Sequence, residues 1–116
     1  MKIAVTSQNF RTITGHGGKS RRFIVYEATA DAEPVEIERL DLPREFAVHE
    51  VRGDGPHPVD GVDALLTASC GEGFRRRLAG RGIRVVVTGE QDPLAAVRAL
   101  AAGRAPAPPL PHEHHH

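Results

Sequence analysis

Several residue types and patterns are scarce in this chain of 116 residues, and each scarcity excludes a class of protein. Cys70 is the single cysteine, so no intramolecular disulfide can form, which fits a reducing compartment. No apolar run reaches the roughly 18 residues that a membrane helix needs. Lys and Arg total 15 and Asp and Glu total 15, so the zero net charge argues against bulk electrostatic binding to nucleic acid or membranes. We therefore expect a soluble, cytoplasmic protein.

Aromatic residues are scarce as well. They make up 4% of the chain and Trp is absent, so the core must consist of Val, Leu, Ile and Ala, as in small α/β domains. The length suits one domain. We expect this domain to span residues 1–103, followed by a flexible Pro- and His-rich tail over residues 104–116. The closing HEHHH can bind Ni²⁺ or Zn²⁺, and is either native or the remnant of a purification tag.

The apolar pattern predicts five strands and two helices. The strands are expected at residues 2–7, 22–30, 35–42, 63–69 and 83–87, and the helices at residues 71–81 and 93–103. A turn at residues 31–34 should precede the third strand, whose apolar parity changes near Arg39, which predicts a bulge or the end of pairing there. Gly and Pro make residues 43–60 an irregular loop, with one helical turn near residues 59–62.

The order of these elements predicts an α/β fold. An antiparallel hairpin is followed by a strand, helix and strand, whose crossover should be right-handed and whose strands should be parallel. We expect a mixed sheet of about five strands with flanking helices, which is the arrangement of the ribonuclease H-like architecture.

Polar residues follow three strands that would be parallel if the first strand pairs with the later two. Ligands of such sheets bind beyond the carboxyl ends of the strands. The long connection after the first strand starts at the same edge and carries a histidine flanked by glycines, and long ordered loops tend to be functional. The residues expected at this edge are Ser7, Gln8, Asn9, His16, Gly17, Cys70, Gly71 and Thr88.

His16 and Cys70 are the candidate metal ligands, because imidazole and thiolate suit iron–sulfur and related metals. The helix that starts after Cys70 would direct free N–H groups at the same place and favour an anionic ligand, so an anionic metal cluster would satisfy both features. Two alternatives stay open. Cys70 can be a small packed hydrophobic residue, and His16 a loop residue that hydrogen-bonds to its own backbone.

Catalysis is less well supported by the residues. A nuclease of ribonuclease H-like fold needs clustered carboxylates for two Mg²⁺ ions, and the first strand, IAVTS, has no acidic residue. Nucleophilic catalysis by Cys70 with His16 lacks an evident third group, although Glu90 or Asn9 could serve. We therefore expect no enzymatic activity. The loop over residues 12–20 should be mobile, because it is rich in glycine and has few apolar anchors.

The chain resembles the dinitrogenase iron-molybdenum cofactor biosynthesis family, whose members include small cofactor carriers. The resemblance covers residues 1–103 and rests on an ordered set of segments rather than on one motif. Family members commonly have His-Phe-Gly where this chain has His16-Gly17-Gly18. The matching segments are MKIAVTSQ, the His16-Gly17 pair, RRFIVYE, SCGEGFRRRLAGRGIRVVVTGE and DPLAAVRAL.

The resemblance implies a ribonuclease H-like fold without nuclease activity that binds the iron-molybdenum cofactor or its iron-sulfur precursor. Its partners would then be nitrogenase cofactor-assembly proteins or apo-dinitrogenase, with no nucleic acid or membrane, and it would be a monomer or a dimer. The alternative is an interaction or regulatory module that binds a partner protein or a small anion at the same edge without metal. A third hypothesis makes the His-rich tail a store for Ni²⁺ or Zn²⁺.

Overall fold

A computed structural model describes residues 1–15, 21–42 and 59–108 of the chain. Its described part contains the predicted five strands and two helices. In chain order these are β1 (Lys2–Thr6), β2 (Arg22–Thr29), β3 (Ala32–Asp41), β4 (Ala64–Thr67), α1 (Glu72–Gly80), β5 (Arg84–Val87) and α2 (Pro93–Ala101).

The strands form one mixed sheet in the order β3-β2-β1-β4-β5. The pairs β1–β2 and β2–β3 are antiparallel, whereas β1–β4 and β4–β5 are parallel. The expected mixed α/β fold, with a hairpin and a parallel strand–helix–strand unit, is therefore confirmed. Because β1, β4 and β5 run in the same direction, their carboxyl ends lie along one edge of the sheet, which we call the carboxyl edge.

The central strands are apolar throughout because both faces of the sheet are covered. Ile3, Ala4 and Val5 of β1 are all fully buried. Their side chains alternate between two core clusters, since successive residues of a strand face opposite sides. Ile3 and Val5 pack with Val97 and Leu100 of α2, and Ala4 belongs to the cluster that contains Phe74 and Leu78 of α1.

Local signals in the sequence favour the formation of both helices. In α1, Phe74 and Leu78 lie four residues apart and face the sheet. The Arg75 side chain of this helix donates a hydrogen bond to the Val85 carbonyl of β5, 3.1 Å away. In α2, Asp92 caps the first turn by accepting from the Leu94 N–H at 3.0 Å, and proline occupies the first helical position.

Strand β3 differs from the prediction at its start and at its bulge. It begins at Ala32 rather than at residue 35, because Thr29 already pairs with Ala32 and leaves a tighter turn than expected. Pro34 is tolerated because β3 is an edge strand, where a residue without an N–H breaks no ladder. The register also shifts at Ile37 rather than at Arg39, and pairing continues to the end of the strand.

A turn precedes β4 at the predicted place, with the Val62 N–H donating to the Val59 carbonyl at 3.4 Å, but the positive φ of 93° at Gly61 makes it a β-turn rather than the predicted helical turn. Both valines are buried against the α1 side of the sheet. The rest of the predicted irregular loop, residues 43–58, lies outside the described residues. In the described part of the chain, no helix is both long enough and apolar enough to cross a membrane.

Two leucines provide a matched test of this core. Leu66 of β4 is fully buried, whereas Leu94 of α2 is 39% exposed. We expect Leu66→Ala to lower the free energy of unfolding by about 2–5 kcal/mol, because it leaves a cavity between β4 and α2. The control Leu94→Ala should change it by less than about 1 kcal/mol. Urea unfolding followed by circular dichroism measures both, and equal losses would contradict the assigned burial.

Candidate functional site

Three threonines line the carboxyl edge and were not predicted as a group. Thr6 ends β1, Thr67 ends β4 and Thr88 follows β5, and each is at most 1% exposed. The hydroxyl oxygens of Thr6 and Thr67 lie 2.9 Å apart. The Thr88 N–H donates to the Thr67 carbonyl at 3.0 Å, which continues the β4–β5 ladder past the end of β5. A polar residue at the end of a buried apolar strand was the signal that could have identified Thr6 and Thr67.

The loop after β1 is organised by Asn9. Its side-chain Oδ1 accepts from the N–H groups of Arg11 and Thr12, both at 2.9 Å. The Ser7 hydroxyl donates to the Thr12 carbonyl at 2.7 Å. Phe10, at the top of this turn, has a positive φ of 57°, a conformation that non-glycine residues seldom adopt. Ser7 and Asn9, both predicted to contact a ligand, therefore hold the loop in shape.

Gln8 contributes its backbone to the same arrangement. Its N–H donates to the Thr14 hydroxyl at 3.0 Å, and its carbonyl accepts from Arg22 at 2.9 Å. Arg22 also forms an ion pair with Asp41, 3.3 Å away. The Arg22 guanidinium is thus engaged on two sides, while the Gln8 side chain is exposed beside the edge.

Residues 12–15 return along the edge and are firmly attached to it. The Thr14 N–H donates to the Thr6 carbonyl at 3.0 Å, and the Thr14 carbonyl accepts from the Ala68 N–H at 3.2 Å. Ile13 is 6% exposed and packs in the core under α2, with its N–H donating to the Gln91 carbonyl. The buried Ile13 and these backbone hydrogen bonds attach residues 12–15 to the edge, which counts against the predicted mobility in this part of the loop. Residues 16–20 lie outside the described part.

Gly15 lies directly against Ser69. A Cβ added to Gly15 would stand 2.9 Å from the Ser69 Oγ and 3.7 Å from the Ala68 Cβ, so only glycine fits without displacing a neighbour. Gly15 precedes His16 in the chain, and Ser69 precedes Cys70. The structure therefore brings the residues before the two predicted metal ligands into contact. His16 and Gly17 themselves lie outside the described residues.

Cys70 lies between β4 and α1, and its side chain is partly buried against the core cluster on the α1 side. This burial raises the pKa of the Cys70 thiol, with Arg75 opposing the shift and Glu72 adding to it. Gly71 occupies the N-cap of α1 and makes no side-chain capping bond. The thiol thus packs as a hydrophobic residue while remaining within reach of the edge, and both predicted roles stay open.

Thr88 and Gly89 contact the start of the predicted tail. The Thr88 hydroxyl donates to the Ala107 carbonyl, and the Gly89 N–H donates to the carbonyls of Ala107 and Pro108 at 3.1 and 3.0 Å. The Thr88 oxygen in turn accepts from the Glu90 N–H at 3.0 Å. The tail therefore reaches the carboxyl edge, although the division of the chain at residue 103 stays a prediction.

Metal-ligating side chains are sparse in the described part of the chain. Within residues 1–15, 21–42 and 59–108, no group of three His, Cys, Asp or Glu residues is placed to hold a metal ion. All seven histidines of the sequence lie in the segments outside these ranges. The histidine component of the predicted metal site therefore stays a prediction, and Cys70 is its one described member.

Comparison with known proteins identifies the family to which the chain belongs. The family model described as "Dinitrogenase iron-molybdenum cofactor" matches residues 1–103. The chain belongs to this dinitrogenase iron-molybdenum cofactor family. The family is involved in handling the iron-molybdenum cofactor of dinitrogenase.

The fold of this chain matches one solved structure, described as "Crystal structure of PH0822", at a TM-score of 0.65. The match covers 97% of each chain at 18% sequence identity, so it shows a shared fold and carries no functional argument. No curated protein was found to be similar to the chain.

We expect the substitution of glycine by alanine to have opposite effects on stability at Gly15, which lies against Ser69, and at Gly73 in α1. Gly15→Ala should lower the free energy of unfolding by about 1 kcal/mol or more, because the new methyl group displaces the Ser69 hydroxyl. Gly73→Ala should raise it by about 0.5–1 kcal/mol, because Gly73 is helical and a Cβ there meets nothing within 4 Å. Chemical unfolding measures both.

A double-mutant cycle tests whether the contact with Ser69 causes the loss of stability in Gly15→Ala. Ser69→Ala removes the hydroxyl that the added methyl group would meet, so Gly15→Ala should cost less in that background. An equal cost in both backgrounds would mean that the added methyl group at residue 15 does not meet the Ser69 hydroxyl.

The raised pKa of Cys70 predicts slow alkylation. Because the thiolate is the reactive form, the pH midpoint of iodoacetamide labelling should lie above that of an unstructured SCGEGF peptide. Glu72→Gln should move the midpoint down, since it removes a negative charge that raises the pKa. A midpoint at or below that of the peptide would contradict the packed position, and Cys70→Ala supplies the unlabelled control.

Proposed function

We propose that this protein is a non-enzymatic carrier that binds the iron-molybdenum cofactor, or an iron-sulfur precursor of it, at the carboxyl edge and delivers it to a partner. The observation that carries the proposal is the contact of Gly15 with Ser69 in a chain of this family. These residues immediately precede His16 and Cys70, which carry an imidazole and a thiol. Both groups suit iron and its sulfur clusters.

The chemistry of Cys70 suits reversible binding. A thiol must lose its proton to become a metal ligand, and burial raises the pKa of this one. Binding through Cys70 therefore releases a proton and is weaker at low pH. A carrier benefits from such modest affinity, because the cargo has to leave again for the next protein.

Thr6 and Thr67 would act as structural support for the edge. Thr6 and Thr67 are fully buried and fix β1, β4 and the Thr14 carbonyl relative to one another. They hold the two segments that lead to His16 and Cys70 at a constant spacing. Gln8, Gly17, Gly71 and Thr88 complete the proposed cargo-binding set, with Ser7 and Asn9 shaping its loop.

The proposal also covers the fold type, the cellular location and the partners of the protein. The strand order, with an antiparallel hairpin before a parallel strand–helix–strand unit, supports a ribonuclease H-like fold. The absence of acidic residues from the KIAVT sequence of β1 supports a role without nuclease chemistry. We place the carrier in the cytoplasm, as a monomer or dimer, with nitrogenase cofactor-assembly proteins or apo-dinitrogenase as its partners.

The proposal is tested by anaerobic binding of isolated iron-molybdenum cofactor, and separately of a preformed iron-sulfur cluster. After gel filtration, the parent protein should retain iron and show the visible absorption of the cluster. His16→Ala and Cys70→Ala should each weaken binding by at least the roughly 10- to 100-fold that losing a supporting residue of a metal site costs. All proteins should carry Asn in place of His112, His114, His115 and His116, so that the tail cannot bind metal.

His57→Ala is the matched control, because it removes a histidine of the other long loop. It should bind as the parent does. A parent that retains no iron would overturn the carrier function, and His16→Ala and Cys70→Ala variants that bind like the parent would overturn the site. The Ni²⁺ or Zn²⁺ store is tested separately by loading the chain with its natural tail, and a metal stoichiometry that the four Asn substitutions leave unchanged would overturn it.

The packing of Cys70 favours one second candidate. A thiol held against the core with a raised pKa also suits a module that binds a partner protein or a small anion at this edge without metal. Such a module would keep its partner binding in Cys70→Ala and in metal-free buffer.

A further inference from the structure

The segment after α2 doubles back to the carboxyl edge. The helix ends at Ala101, and Gly103 has a positive φ of 79° that reverses the chain. The Arg104 N–H donates to the Ala99 carbonyl at 2.8 Å and closes this reversal. Since α2 begins near the end of β5 and runs away from it, the reversed chain returns alongside the helix towards its start.

The returning segment uses two donors of the edge. The Thr88 hydroxyl and the Gly89 N–H both donate to the Ala107 carbonyl, and the Gly89 N–H is shared with the Pro108 carbonyl. Thr88 is 1% exposed, so these contacts shield its hydroxyl from solvent. Thr88 is also a member of the proposed cargo-binding set, and Gly89 follows it directly.

Proline makes this segment well suited to a reversible contact. Pro106 and Pro108 restrict the free chain to extended conformations, so less conformational entropy is lost when the segment binds. Their carbonyls remain available as acceptors although they have no N–H groups. The segment adds no regular strand to the sheet, so releasing it breaks the hydrogen bonds at Thr88 and Gly89 and leaves the ladder intact.

We propose that residues 104–108 form a strap that occupies the Thr88 and Gly89 donors in the empty protein and is displaced when cargo binds there. The inference rests on the proposed function, because it assigns the regulation of the same edge. The bound strap then competes with cargo for the Thr88 and Gly89 donors. Any ligand that accepts hydrogen bonds from Thr88 and Gly89 would have to displace it.

Pro106→Gly combined with Pro108→Gly tests the strap in the full chain. The added freedom should weaken the bound strap about fivefold. Amide hydrogen exchange of Gly89 should accelerate by about that factor, while exchange of Thr88, whose N–H bonds to Thr67 within the sheet, should not change. Isolated iron-molybdenum cofactor should bind the variant up to about fivefold more tightly than the parent.

The matched control is Pro109→Gly combined with Pro111→Gly, which makes the same chemical change beyond the last contact described. It should leave Gly89 exchange and cofactor affinity at the parent values. Unchanged Gly89 exchange in the first variant would overturn the strap. Measurable cofactor binding that is equal in parent and variant would overturn the competition alone, whereas no binding by either protein would overturn the carrier function and the competition with it.

Discussion

The parallel pairing of β1 with β4 is the constraint on which the rest of the structure depends. It joins the amino-terminal hairpin to the strand–helix–strand unit, and it makes three strands end at one edge. The pairing is fixed by apolar residues that are buried on both faces, such as Val5 opposite Leu66, and a one-residue slip would exchange the two cores. The loop after β1, Cys70 and the end of β5 share a neighbourhood only because of this pairing.

The secondary structure was predictable where the sequence carries strong local signals. The runs IAV and ALL indicate strands covered on both sides, and Asp92 with Pro93 marks the start of α2. The start of β3 was not predictable, because Pro34 normally indicates a turn and is accepted here only by an outer strand. Whether a strand is outermost depends on the whole sheet, which no local pattern encodes.

The site was predictable in its location and less so in its details. The topology placed Ser7, Cys70 and Thr88 at one edge, as found. The attachment of the loop was missed, because a single isoleucine in a polar segment gives no periodic signal, yet Ile13 is buried under α2. The contact of the tail with Gly89 was missed for a related reason, since hydrogen bonds to backbone carbonyls leave no trace in the identity of the side chains.

The hydrogen bond from Arg75 to the Val85 carbonyl has a consequence for how the molecule meets other proteins. It occupies an acceptor on β5, one of the two outer strands of the sheet, where a foreign strand would otherwise add. The opposite outer strand carries Pro34 and exposed glutamates between its apolar residues, which likewise discourages strand addition. In the part of the chain that the structure describes, neither outer strand therefore favours extension of the sheet by a strand from a second chain.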